Sequence, residues 1–185
     1  MPQNVKVIIF LFVSAYFIWL SRRSLLKAHR HGFYRFFAFE TILVLVLLNL
    51  DFWFDDWLSL RQVISWTLLA LSVYLVTHAA VVLLKLGKPD RRRADPTLLG
   101  MEKTTKLVTS GIYRYIRHPM YSSAVVGVWG AVLKDISATS ISLAMISVIF
   151  LTATAKLEES ENLQYFGDEY RDYMKRTRMF IPYIF

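Results

Sequence analysis

The chain has no cysteine, which excludes disulfides, thiol nucleophiles and cysteine-ligated metal sites. Glycine and proline are scarce, seven and five in 185 residues, and no internal repeat or low-complexity tract is present. Neither GxGxxG nor GxxxxGK followed by Ser or Thr occurs, so the nucleotide phosphate loops built on those patterns are missing. The four histidines, His29, His31, His78 and His118, do not have metal-site spacing, and no metal is expected. Acids are outnumbered: 14 Asp and Glu face 22 Lys and Arg, a net charge of +8. No nucleic-acid motif accompanies that charge. It suits cytoplasmic loops lying on anionic lipid, so membrane lipids are expected partners and nucleic acid is not.

What the chain does have is apolar residues, 55% of the total, against about 45–50% in soluble domains. Five apolar segments stand out, at 5–20, 36–54, 63–84, 120–133 and 136–155. A full span needs about 20 apolar residues. The second and third segments reach that, the first is marginal and the fourth is short. Only Lys134 and Asp135 separate the fourth from the fifth, so these two read as one tight helical hairpin. The first segment is long for a signal-peptide core and no small-residue cleavage site follows it, so it reads as a retained span. The expectation is an all-α, polytopic membrane bundle of five transmembrane segments in a single domain, 1–185: three N-terminal spans in 1–86, then a loop, the hairpin and a tail in 87–185.

Charge orients the bundle. Residues 21–35 carry Arg22, Arg23, Lys27, Arg30 and Arg35 with no acid, and the loop at 85–117 has nine cations against three acids. The turn after the second segment holds Asp51, Asp55 and Asp56 against Arg61. Positive residues stay inside, which places the N-terminus outside and the C-terminus in the cytoplasm, in the plasma (inner) membrane of a prokaryote. The tail should form a short amphipathic cytoplasmic helix, ended on one side by Gly167 and capped by Asp168, with Tyr170, Tyr173 and Met174 on one face.

Two clusters carry chemistry. One is "GIYRYIRHPMYSS", 111–123, where the basic loop becomes the fourth segment. Arg and Tyr at a helix entry are ordinary headgroup anchors, and Pro119 suits the first position of a helix. The other is Glu158-Glu159, at the exit of the fifth segment. An acidic pair there runs against both the helix dipole and the basic inner face, so it needs a partner. The hairpin brings the clusters together. Carboxylates beside an Arg, a His and several rings suit a zwitterionic or cationic ligand. Glu40 and His78 lie at or near membrane depth and fit either a functional role or a helix–helix hydrogen bond.

"KLVTSGIYRYIRHPMY", followed about 40 residues later by "EESENLQYFGDEYRDYMKRTRMFIP", resembles the isoprenylcysteine carboxyl methyltransferase family and the related membrane phospholipid methyltransferases. The likeness covers 105–182 and rests on G-I-Y-x-x-x-R-H-P-x-Y, then E-E, then F-G-x-x-Y-x-x-Y. It implies a methyltransferase that uses S-adenosyl-L-methionine at the cytosolic face, releases S-adenosyl-L-homocysteine and takes a lipophilic substrate from the bilayer. Carried over by motif, Thr105, Lys106, Leu107, Val108, Tyr113, His118, Pro119, Met120, Tyr121 and Glu158 would bind the cofactor, and Arg117 and Glu159 would be catalytic. Two departures stand out. Ser123 occupies a position that is glycine in many relatives. Thr154 stands where prenylcysteine enzymes carry an arginine for the substrate carboxylate, which argues for another lipid or small molecule as acceptor; Lys156, Arg117 and the loop arginines Arg91 to Arg93 are the substitute cations. The alternatives are a phospholipid amine N-methyltransferase, a small membrane reductase, or a non-enzymatic accessory protein on the same fold.

Overall fold

The computed structural model describes residues 1–90 and 98–184. Its helices are α1 (Gln3–Leu25), α2 (His31–Leu48), α3 (Leu60–Leu86), α4 (Pro119–Val132), α5 (Ala138–Phe166) and α6 (Asp168–Arg176). The described residues contain no β-strand, only isolated bridges between Pro89 and Thr104 and between Ile116 and Arg178. Among them four helices are long and apolar enough to cross a membrane: Gln3–Leu25, His31–Phe52, Leu60–Leu86 and Ala138–Phe166. The fourth apolar segment forms the 14-residue α4, about 21 Å long at 1.5 Å per residue against a hydrocarbon core of about 30 Å.

Helices run well past the apolar runs. The second begins at His31, not Phe36, and takes Arg35 into its first turns. The fifth continues to Phe166, so Glu158 and Glu159 lie two turns inside it and the dipole at its end bears on them less than expected. Gly167, at φ +60° and ψ −132°, is the whole joint between α5 and α6. Side chains rarely adopt that conformation. Asp168 is therefore the first helical residue of α6, not its cap.

The sequence suggested that α4 would lie mainly on α5. Instead α4 packs most extensively on α3, and α5 on α2. The α3–α4 contact depends on small residues. A Cβ at Gly127 would lie 2.8 Å from Ser72 Oγ. Ser72 and Ser65 donate across the interface to the carbonyls of Ser123 and Gly130, both at 2.7 Å. Close approach with interhelical hydrogen bonds is how helices associate where lipid removes the hydrophobic drive. One core cluster joins Ala38, Tyr121, Leu151 and Ala155 to Met179 and Phe180 of the tail; another joins Leu45 to Val128, Ala131, Val132 and Ala144.

Lys134, between α4 and α5, is fully buried rather than exposed in a turn. It donates to Gln62 Oε1 at 2.8 Å and sits 3.6 Å from the Trp66 ring centroid. Helix α1 buries only Ser21 and Ser24, and is pinned to α2 by Ser14 donating to Glu40 (2.7 Å) and to the turn after α2 by Lys6 on Asp51 (2.8 Å). Glu40 thus serves a helix–helix contact. His78 stacks on Tyr74, 5.9 Å between centroids.

Candidate active site

At the end of the bundle where α2 begins and α5 ends, a cavity of about 260 Å³ opens among α2, α3, α4, α5, α6 and the connection preceding α4. Its chemistry is built from the two sequence clusters. Pro119 is the first residue of α4, and His118 precedes it as cap. The backbone amides at that entry need partners, because the first turns of a helix leave N–H groups unsatisfied. The tail supplies them. After α6 the chain runs back beside 115–118, where Arg117 and His118 donate to the carbonyls of Arg178 (2.8 Å) and Met179 (3.2 Å), and Arg178 returns a bond to Tyr115 (3.0 Å). The amphipathic α6 is packed under the bundle: Tyr170 and Tyr173 are buried, and the Tyr173 hydroxyl donates to the Tyr113 carbonyl at 2.7 Å.

The acidic pair divides in two. Glu159 accepts from Arg117 Nε at 2.6 Å. Arg117 Nη1 also donates to the Thr177 carbonyl at 2.6 Å, so this guanidinium ties α5 to the tail. Arg117 lines the cavity and Glu159 does not. Glu158 does line it. Its carboxylate accepts from the Tyr121 hydroxyl at 2.6 Å, and the nearest cationic candidate is His118 Nδ1 at 3.8 Å. His118 Nε2 lies 3.4 Å from Glu159 Oε1 yet makes no hydrogen bond there, so one buried ring nitrogen stays unpartnered.

Of the residues expected to bind a cofactor, Leu107, Val108, Tyr113, His118, Pro119, Met120, Tyr121 and Glu158 line the cavity. Thr105 and Lys106 are exposed and outside it; the lining residue on that segment is Thr104. Ser123 also lines the cavity, its hydroxyl bonded to the Met120 carbonyl at 2.6 Å. Thr154 is fully buried with its hydroxyl spent on the Phe150 carbonyl (2.7 Å), and Lys156 is exposed. Arg91 to Arg93 lie outside the described residues.

Sequence reasoning missed a second charged cluster on the same cavity. Arg35 and Glu102 both line it and form an ion pair. His31 Nε2 lies 3.5 Å from Glu102 Oε2, while His31 Nδ1 meets Glu161 Oε2 at 2.8 Å. Arg35 had been counted only as a topological charge. The signal for Glu102 was an acid in a basic loop, one of three there. Burial alone would raise the Glu102 carboxyl, but Arg35 and His31 outweigh it and hold it down at about 2. Burial, followed by the nearby Glu158 charge, pushes the Tyr113 and Tyr170 hydroxyls above their ordinary 10, so both stay neutral donors. The described residues contain no group of three or more acids and histidines placed to hold a metal.

Comparison with known proteins agrees with the motifs. The chain is 29% identical over 120 residues to methanethiol S-methyltransferase 1 of Bradyrhizobium diazoefficiens, 64% of this chain and 39% of that protein. It is 29% identical over 161 residues to a nickel-cobalt-cadmium resistance protein of Alcaligenes xylosoxydans, 86% of this chain and 67% of the relative. It is 26% identical over 121 residues to a probable protein-S-isoprenylcysteine O-methyltransferase of Oryza sativa, 60% of this chain and 63% of the relative. The matches to methanethiol S-methyltransferases therefore span well under half of those proteins' length. No solved structure matches. The phospholipid methyltransferase family model matches residues 60–169, more than half of the chain and the part that holds the 111–121 motif and Glu158-Glu159, and the chain belongs to that family.

Proposed function

We propose that this protein is an integral-membrane methyltransferase that uses S-adenosyl-L-methionine and methylates a lipophilic acceptor at the cytoplasmic face. The observation that carries the reading is Glu158: a carboxylate on an aromatic cavity whose hydrogen-bond partner among the described residues is a tyrosine hydroxyl, with the His118 ring 3.8 Å away. A carboxylate so placed complements a cationic or polyhydroxyl ligand, and rings around it suit a sulfonium. The lining rings include Tyr113, Tyr121, Phe166, Tyr170 and Tyr173. In this reading Glu158, His118 and Tyr121 hold the polar parts of the donor, and Leu107, Val108 and Met120 exclude water. When bound, the donor supplies an electrophilic methyl group. The residues present fit such a group.

The protein's task is mainly positioning, which contributes about 7–11 kcal/mol in favourable cases. Arg117 and Glu159 act together as a positioning pair: Glu159 fixes Arg117, and Arg117 fixes the tail that buttresses His118. An ionised acceptor needs no base; an amine does, and His118, which lines the cavity, is the candidate to receive that proton. The proposed topology keeps five crossings, with α4 a short one shielded by α3 and α5, the N-terminus outside and the site in the cytoplasm of a prokaryotic inner membrane. Residues 1–185 then form one domain in which α1 to α3 frame the donor-binding half.

Radiolabelled S-adenosylmethionine, supplied to membranes containing the protein with N-acetyl-S-farnesylcysteine, a long-chain thiol or phosphatidylethanolamine vesicles, tests this. Label in the extract of at least one acceptor, above membranes lacking the protein, is expected. No label with any of the three would contradict the reading.

A further inference from the structure

We propose that Arg35 is the acceptor-binding residue of this cavity and that it grips an anionic acceptor, a thiolate or a carboxylate, in exchange for its resident partner Glu102. The inference rests on the methyltransferase reading. Among the described residues only three cationic or potentially cationic side chains line the cavity: Arg35, Arg117 and His118. Arg117 is committed to Glu159 and the tail carbonyls, and His118 stands against the acidic pair. Arg35 differs. Its side chain is 3% exposed, Nη1 meets Glu102, and Nη2 has no hydrogen-bond partner. A buried guanidinium with an open nitrogen is uncommon, since such groups are normally satisfied.

Glu102 can release Arg35 without being stranded. It also accepts from the Leu99 amide at 2.8 Å and lies 3.5 Å from His31. An incoming anion therefore replaces the Glu102 carboxylate on Arg35, while Glu102 keeps the Leu99 amide and His31. Phe39, one turn further along the same face of α2, also lines the cavity, with Val76 and Ala124 opposite. That apolar wall suits the body of an amphiphile whose charged end is on Arg35. A thiolate or carboxylate already carries its reacting lone pair, so the site needs no base for it. The cation absent at Thr154 of α5 is thus supplied from α2.

The test is binding, without methyl donor, in lipid nanodiscs. The probes are decanoate, N-decanoylcysteine methyl ester and decylamine, read by calorimetry at about pH 9, above the ordinary cysteine thiol value of about 8.5. One or both anions should bind wild-type protein more tightly than the amine, and which one does separates carboxylate from thiolate. Arg35→Gln should weaken anion binding by about tenfold or more, and Glu102→Gln should tighten it, because a neutral amide competes less for Arg35. Preference for the amine, or anion binding unchanged in Arg35→Gln, would overturn the proposal. If Arg35→Gln does not fold, Glu102→Gln decides: tighter anion binding supports the proposal, and unchanged or weaker binding overturns it. S-adenosylhomocysteine titrated into the same nanodiscs separates the two claims. Its failure to bind sinks the methyltransferase reading, whereas its binding without anion preference sinks only the role of Arg35.

Discussion

The proposed function gives the sequence neighbours Glu158 and Glu159 opposite jobs, and Glu158→Gln and Glu159→Gln should separate them. Among the described residues Glu158 faces the cavity with only a neutral hydroxyl in hydrogen-bond reach. Glutamine keeps an oxygen for Tyr121, so the fold loses little. The ligand loses a charge-assisted hydrogen bond of about 1.5–3 kcal/mol, roughly ten- to 150-fold in affinity. Glu159 is the buried partner of Arg117, their side chains 9% and 10% exposed. Removing its charge strands a guanidinium, a change that costs about 3–5 kcal/mol for a fully buried pair. The Thr177 carbonyl still holds Arg117, so the lower end is expected. The assay pairs calorimetry against S-adenosylhomocysteine with thermal unfolding in detergent. Glu158→Gln should bind at least tenfold more weakly at near wild-type stability, and Glu159→Gln should unfold at clearly lower temperature. Wild-type affinity in Glu158→Gln, or wild-type stability in Glu159→Gln, would refute the division.

Three further outcomes are expected. Glu102 is held at about 2 in the fold against an ordinary 4.5, so its ion pairs contribute stability above about pH 4.5 that is lost as pH falls toward 2; a melting-temperature profile should show that fall in the wild type and a smaller one in Glu102→Gln, and identical profiles would refute it. Gly127→Val pushes carbon into Ser72 at the α3–α4 contact and should cost about 1–3 kcal/mol, read as a lower unfolding temperature; an unchanged temperature would mean the contact is loose. For topology, the exposed Asp55 takes the outer cysteine probe, because it leaves the Ser59 cap of α3 intact, and Ser110 takes the inner one. Impermeant maleimide on intact cells should label position 55 and not 110, and the reverse would invert the orientation.

The sequence was most informative where chemistry and hydropathy coincide. Long apolar runs announced α1, α2, α3 and α5, and the paired motifs marked His118, Tyr121 and Glu158, which all line one cavity. Helix ends were less legible. Hydropathy stops where lipid stops, but a helix stops only at a breaker, so α5 runs on past Glu158 to Gly167. Partner choice was invisible: that α4 lies on α3 depends on Gly127 and on hydroxyls that reach carbonyls, features with no periodic signature. Arg35 and Glu102 were missed for a related reason. They are 67 positions apart, and each looked like one more charge in a polar stretch until α2 and the α3–α4 connection met. The tail was read as a helix alone, yet its residues 177–180 supply the backbone carbonyls that accept from Arg117, His118 and Ser122.

The most direct measurement of the central claim is calorimetry of the purified protein with S-adenosylhomocysteine and, separately, NADPH. The account predicts saturable binding of S-adenosylhomocysteine at one site per chain, weakened at least tenfold by Glu158→Gln, and no binding of NADPH. Saturable NADPH binding with none for S-adenosylhomocysteine would contradict it.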